Sequence, residues 1–312
     1  MKLVLPSMQK LFLPFLLFFI LQKSFAQQPE RYKDDVVQNY SVATVVYGNN
    51  LNYLNEQDTL HADIYTPSGD SVTKNAMVVF MHGGGFMNGH RFDPAIQEFC
   101  RKLVKKGYVI ASVDYRLGFE KFNAKGLVNA VIRSVQDLNA FIRYAKANAD
   151  SLNIDTNKIF IAGASAGGIA VLAKAYMKMD SIFTQSGMSN ISELEGNTNN
   201  LSNTTSVAGV YSMWGAVLDT NWIQKGDVPV GCIHSIADST VPFISGPFRK
   251  NAALILYGSY SIYTRAVNEG IFTTLHTYDS HEHDLGLKVV PYKDSTVTFM
   301  SNFFYDIMKR KP

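Results

Sequence analysis

Apolar and polar positions change rhythm several times along this chain. YSVATVVYG (40–48) and TLHADIYTP (59–67) alternate and are rich in β-branched and aromatic residues, which predicts two antiparallel strands. AMVVFMHGG (76–84) and GYVIASVDY (107–115) are unbroken apolar runs, the mark of strands covered on both faces. Between them PAIQEFCRKLVKKG (94–107) has helical spacing and stops at Gly107. A longer helical pattern covers 127–154, and KIFIAGAS (158–165) is the next buried strand. Three further strands follow at 207–216, 228–238 and 272–280, and STVTFMSNFFYDIMKRK (295–311) closes the chain as an amphipathic helix. This alternation predicts the α/β class, with a mostly parallel central sheet and helices on both faces. SGMSNISELEGNTNNLSNTTS (186–206) breaks the rhythm. Its Asn, Ser and Thr content predicts a long surface loop.

The first 26 residues change the picture. Lys2 and Lys10 are basic, LFLPFLLFFIL (11–21) is an apolar core, and Ser24-Phe25-Ala26 places small residues at a cleavage position. The apolar run is shorter than the roughly 20 residues a bilayer span needs. Residues 1–26 therefore read as a signal peptide cleaved after Ala26, and 27–312 as one domain, secreted or periplasmic. Removing that segment takes away Lys2, Lys10 and Lys23 and no acids. The 29 basic side chains less these three equal the 26 acidic ones, so the mature chain is close to neutral. Neutrality argues against nucleic acid or an anionic membrane surface as a partner. Cys100 and Cys232 are too few for a disulfide framework and read as buried small hydrophobes, with a single bridge left open.

Candidate chemistry sits at the carboxyl ends of the predicted strands. Gly163-Ala164-Ser165-Ala166-Gly167 follows a buried strand and precedes an apolar helix. A sharp strand-to-helix turn of this kind lifts a serine hydroxyl above the sheet edge, where a base can activate it. His82-Gly83-Gly84-Gly85-Phe86 leaves an earlier buried strand. Main-chain N–H groups in such a glycine run can stabilise an oxyanion; Gly84 and Gly85 are the expected donors, with Ala166 after the nucleophile. His82 reads as structural. HSIADSTVPF (234–243) puts Asp238 on the turn past another strand, as an acid able to orient an imidazole. FTTLHTYDSHEHDLG offers His276 within the strand and His281 and His283 beyond it. His-x-His could also ligate zinc, but a third ligand would have to be found and the serine apparatus already accounts for a histidine here, so no metal or cofactor is expected. The order Ser165, Asp238, His283 is the Ser…Asp…His order of α/β-hydrolases.

HGGGF, GYVIASVDYRLG (107–118), the run from Asp137 to Gly168 and HSIADSTVPF together resemble an α/β-hydrolase of the carboxylesterase and hormone-sensitive-lipase-like type. More closely, the chain is similar to secreted carboxylesterases of the feruloyl-esterase-like group, over roughly 45–310. The resemblance implies Ser165 as nucleophile, Asp238 as acid, and Gly84, Gly85 and Ala166 as oxyanion donors, with Asp114–Gly118 buttressing the glycine loop. It also implies an ester substrate, small or polysaccharide-linked. In the family the histidine follows a glycine. Here an ungapped alignment gives His283 and a two-residue gap gives His281. Ala164 stands where related branches carry an acid. The segment before the first strand is too short for a helical cap, which implies no separate cap domain and an open site rimmed by loops. Phe86, Met87, Trp214 and Trp222 are candidates for an aromatic wall or for core. The same residues leave an amidase or exopeptidase open, and a non-catalytic binding member of the fold.

Overall fold

Strand polarity follows from where each strand lies in a single eight-stranded sheet. The computed structural model describes residues 29–310 apart from 70, 120, 122, 181–183, 185–186 and 249–250. The expected signal segment and its cleavage point lie outside the described residues. β1 (Asn39–Leu51) and β2 (Gln57–Ser68) form an antiparallel pair at one edge. β2 is antiparallel to β4 (Val109–Val113). From there β3 (Asn75–Met81), β5 (Ile154–Ala164), β6 (Gly209–Met213), β7 (Val230–Ser235) and β10 (Thr273–Tyr278) continue in parallel. The spatial order is β1-β2-β4-β3-β5-β6-β7-β10. Every residue of β3, β4, β6 and β7 is buried, which is why their sequences are unbroken apolar runs. β1, at the edge, is mostly exposed and alternates instead.

Successive side chains of β3 feed two cores. Met77, Val79 and Met81 face α2 (Ala124–Ala147) and α3 (Ala166–Tyr176). Val78 and Phe80 face α1 (Pro94–Lys105) and the closing helix. Phe80 packs on Phe99 of α1 with ring centroids 5.3 Å apart. Each such buried side chain contributes about 1.5–3 kcal/mol of transfer free energy. The remaining helices are α4 (Ser259–Asn268), α5 (Leu285–Lys288) and α6 (Val290–Lys309).

Three elements depart from the sequence expectation. The helix pattern at 127–154 is a helix only from Ala124 to Ala147. Asn123 caps its start by accepting the Gly126 N–H, and Asn153 at φ 55° turns the chain so that Ile154 begins β5. The polar stretch predicted as a surface loop holds a 3-10 turn over Ile191–Glu195 with a capping box between Asn190 and Glu193. Its Thr198 is buried and donates to Asp137 at 2.9 Å, so part of this stretch covers the core. Finally, a separate antiparallel hairpin, β8 (Ser245–Phe248) and β9 (Asn251–Tyr257), follows β7. The site expected to be rimmed by loops is thus rimmed partly by a hairpin, held to the main body by the Val217–Tyr257 bridge.

Candidate active site

Strain marks the end of β5. Ser165 has φ 56° and ψ −118°, a backbone region that costs on the order of 1–3 kcal/mol for a residue with a side chain. Its N–H donates to the Met213 carbonyl at 2.8 Å, fixing the turn to the neighbouring strand. Gly167 shows why small residues follow: a Cβ there would lie 2.2 Å from the Met81 carbonyl oxygen. Only glycine lets α3 start this close to the end of β3.

The histidine that meets this serine is His283. Its Nε2 is 2.7 Å from Ser165 Oγ and its Nδ1 is 2.6 Å from Asp238 Oδ2. His281 is exposed. His276 stacks on Phe299 with centroids 3.7 Å apart, and burial lowers its pKa. Asp238 sits on the turn after β7, with its side chain fully covered. Its Oδ1 accepts the N–H groups of Thr240 and Val241 at 2.7 and 3.1 Å. Burial alone would raise its carboxyl pKa. Hydrogen bonds from His234 and His283, and the N–H of Thr240, outweigh burial and hold the carboxyl well below the usual carboxylate range.

His234 belongs to no motif that marks it in the sequence. It is completely buried on β7, with Nε2 3.2 Å from Asp238 Oδ2 and 3.1 Å from the Val241 carbonyl. Two acceptors at Nε2 put a proton there. Nδ1 lies 2.8 Å from Ser259 Oγ. The signal was in HSIAD: a histidine four residues before the acid, in an otherwise apolar buried strand.

The glycine loop is braced from below. His82 is buried, its Nδ1 is 2.7 Å from the Gly83 carbonyl, and its ring stacks on Tyr115 at 4.5 Å. Burial lowers its pKa. Tyr115 Oη donates to the His82 carbonyl at 2.9 Å, and Gly118 N–H to the Phe86 carbonyl at 2.6 Å. Asp114 accepts from Arg91 Nη1 at 2.6 Å, and Arg91 Nε reaches Asp63 at 3.0 Å. Asp114–Gly118 thus holds residues 82–91 in place. Gly84, at φ 108°, turns its carbonyl onto the N–H groups of Met87 and Asn88 at 3.1 and 3.2 Å. Among the described residues no acceptor takes the N–H of Gly84, Gly85 or Ala166. Ala166 is the first residue of α3, where N–H groups lack helical partners and the helix dipole is positive.

The aromatic candidates separate. Trp222 is core, donating its indole N–H to Asp180. Phe86 and Trp214 are buried yet border the cavities around Ser165, and Met87 is 37% exposed. Cys100 and Cys232 are buried free thiols, each pushed up to about 12 by burial.

A mostly parallel sheet whose strand ends carry this serine, acid and histidine is an α/β-hydrolase. Residues 62–217, half of the chain, match the BD-FAE family, and the chain belongs to that family. It is 26% identical over 142 residues to gut esterase 1 of Caenorhabditis elegans, covering 45% of this chain and 24% of that protein. It is 35% identical over 102 residues to esterase LipC of Mycobacterium tuberculosis, covering 32% of this chain and 23% of that protein. The matched stretch spans about a quarter of the length of these curated relatives. Among solved structures, esterase 2 of Thermogutta terrifontis, phosphorylated by paraoxon, superposes with a TM-score of 0.64 at 19% identity, covering 87% of this chain and 96% of that one. That likeness is one of fold.

Proposed function

We propose that this protein hydrolyses carboxylic esters through an acyl-enzyme on Ser165. The observation that carries the reading is the imidazole of His283, 2.7 Å from Ser165 Oγ on one side and 2.6 Å from Asp238 on the other. Relatives named esterases, and a plant relative named probable carboxylesterase 6, support the same class. Ser165 Oγ attacks the carbonyl carbon while His283 Nε2 takes its proton. Asp238 holds the imidazole in the tautomer with Nδ1–H and stabilises the imidazolium. The N–H groups of Gly84, Gly85 and Ala166 receive the developing oxyanion. The intermediate collapses, and the departing alkoxide takes the proton from His283 Nε2. A water then attacks the acyl-enzyme, giving its proton to His283. Collapse releases the acid, and the proton returns to Ser165.

The test is turnover of p-nitrophenyl acetate by the purified mature protein. The wild type hydrolyses it and reacts covalently with a fluorophosphonate probe, and Ser165→Ala does neither. An aminoacyl anilide turned over faster than the ester would move the assignment to an amidase. Export is part of the proposal and rests on the 11–21 apolar segment and the small residues up to Ala26.

A further inference from the structure

Behind the acid of the site lies a line of polar groups that no step of the reaction above uses. Asp238 is held at both carboxylate oxygens. Its Oδ1 accepts two main-chain N–H groups, and its Oδ2 meets His283 Nδ1 at 2.6 Å and His234 Nε2 at 3.2 Å. The other ring nitrogen of His234, Nδ1, is 2.8 Å from Ser259 Oγ. His234 and Ser259 are both completely buried. Hydrogen-bond contact therefore runs from the nucleophile into the core through Ser165, His283, Asp238, His234 and Ser259.

The direction of each bond follows from which group can donate. Nε2 of His234 meets two acceptors, Asp238 Oδ2 and the Val241 carbonyl, so it carries a proton. In the neutral ring Nδ1 is then an acceptor, and the Ser259 hydroxyl donates to it. Main chain fixes where that hydroxyl sits. Ser259 is the first residue of α4, and the start of α4 is pinned to the segment that follows Asp238. Gly258 N–H donates to the Ile244 carbonyl at 2.8 Å, and Tyr260 N–H to the Phe243 carbonyl at 3.0 Å. Phe243 also packs edge-on against the His234 ring, with centroids 5.7 Å apart.

The tautomer matters to the acid. A His234 with its proton on Nδ1 would turn a lone pair toward Asp238 Oδ2. The carboxylate would then keep its two main-chain anchors at Oδ1 but lose the buried one at Oδ2. Rotation about its Cβ–Cγ bond would carry Oδ2 off the line to His283 Nδ1, and the imidazole would lose its orientation toward Ser165. Without a donor at Nδ1, the Nε2–H tautomer leaves a buried nitrogen unsatisfied and loses its advantage. Neither His234 nor Ser259 lines the cavities beside Ser165, so substrate binding does not pass through them.

We infer that Ser259 is a positioning residue for the reaction: its hydroxyl holds the proton of His234 on Nε2, and that N–H holds Asp238 in line with His283. The inference rests on the ester-hydrolase reading above. A proton–nitrogen correlation spectrum of the histidine side chains tests it in the wild type, with His234 assigned by the signal missing from His234→Phe. The Nε2–H tautomer is expected, and a ring protonated at Nδ1, alone or as well, overturns the proposal. Ser259→Ala removes one buried oxygen. It is expected to lower kcat for p-nitrophenyl acetate about three- to tenfold, the factor one hydrogen bond carries, with KM within about twofold of wild type. Added to His234→Phe, the same change is expected to cost less than about 1.5-fold, because the group it acts through is gone. Unchanged kcat in Ser259→Ala, a rise in KM at constant kcat, or an equal loss with and without His234 overturns the proposal and leaves the esterase reading standing. Circular dichroism checks folding, and should Ser259→Ala not fold, the wild-type tautomer decides. A wild type that turns over no ester overturns both readings.

Discussion

His234 Nε2 and His283 Nδ1 converge on the same oxygen of Asp238, at 3.2 and 2.6 Å. One histidine is completely buried, and the other reaches Ser165. A carboxylate oxygen shared between two N–H donors is a weaker partner for each. His234 thus limits how strongly Asp238 stabilises a protonated His283. His234→Phe removes the second donor, and Asp238 then favours the imidazolium more. The pH–rate profile is expected to change in shape as well as height, with kcat/KM about tenfold lower at neutral pH. A pH–rate profile of His234→Phe that superposes on the wild type after scaling would assign His234 a purely structural role. His234→Gln, which keeps a donor, is expected to fall between the two.

Ser165 carries strain as well as the hydroxyl. At φ 56° and ψ −118° a glycine is at ease and a serine is not. Ser165→Gly is therefore expected to lose at least ~10⁴-fold in kcat while gaining about 1 kcal/mol in stability, read from denaturant unfolding. Equal or lower stability than wild type would show that the turn is not strained. His283→Ala is expected to lose activity to a similar extent, while His281→Ala, altering an exposed side chain, keeps most of it.

Much of this site is legible in the sequence because each group sits just past a strand whose burial writes itself as an apolar run. β3, β5 and β7 lead into the glycine loop, Ser165 and Asp238, so each group is found where an apolar run stops. The choice between His281 and His283 is not legible locally. It depends on how the turn after β10 is pinned, where Ser235 Oγ donates to the Glu282 carbonyl at 2.6 Å across 47 residues of sequence. His234 is hidden for a related reason: a polar residue in a buried strand announces a partner but not which one. In the hairpin, NAALILY carries a strand signal, but Gly246 and Pro247 disguise its mate. The end of α2 is obscured because Ala145, Ala149 and Leu152 keep a helical spacing past Ala147, where the helix in fact stops at its Asn148 cap.

Acid stability is expected to depend on Asp238. Its carboxyl is held below the usual range in the folded protein, whereas an unfolded Asp titrates near ~3.9. A depressed native pKa means the unfolded state binds the proton first as pH falls. The stabilisation is complete above the unfolded value and drains away as pH drops from about 5 toward the native value. Asp238→Asn removes that term, so its stability is expected to fall less steeply than wild type between about pH 5 and pH 3. Parallel curves for the two proteins would show that other carboxyls set the acid limit.

Export supplies a prediction independent of the active site. The apolar core at 11–21 and the Ser24-Phe25-Ala26 triplet favour cleavage after Ala26. Expressed in full in a bacterial host, the protein is expected to accumulate outside the cytoplasm with Gln27 at its amino terminus, read by intact mass. A cytoplasmic product retaining Met1 would remove the export reading without touching the chemistry.

Gly84 separates transition-state stabilisation from folding and binding. Its φ of 108° and the closeness of Asn88, whose carbonyl oxygen would lie 2.0 Å from an added Cβ, leave no room for alanine. Gly84→Ala must shift the loop, and with it the N–H groups of Gly84 and Gly85 that face no protein acceptor among the described residues. The braces beneath, from Tyr115 to the His82 carbonyl and from Gly118 to the Phe86 carbonyl, are made by residues other than Gly84. The damage is expected to fall on donors that matter only once the carbonyl oxygen is charged. For Gly84→Ala, kcat should fall about 10²–10³-fold with KM nearly unchanged. A variant whose KM rises while kcat holds would mean that the loop binds the ground state and leaves the oxyanion to other groups.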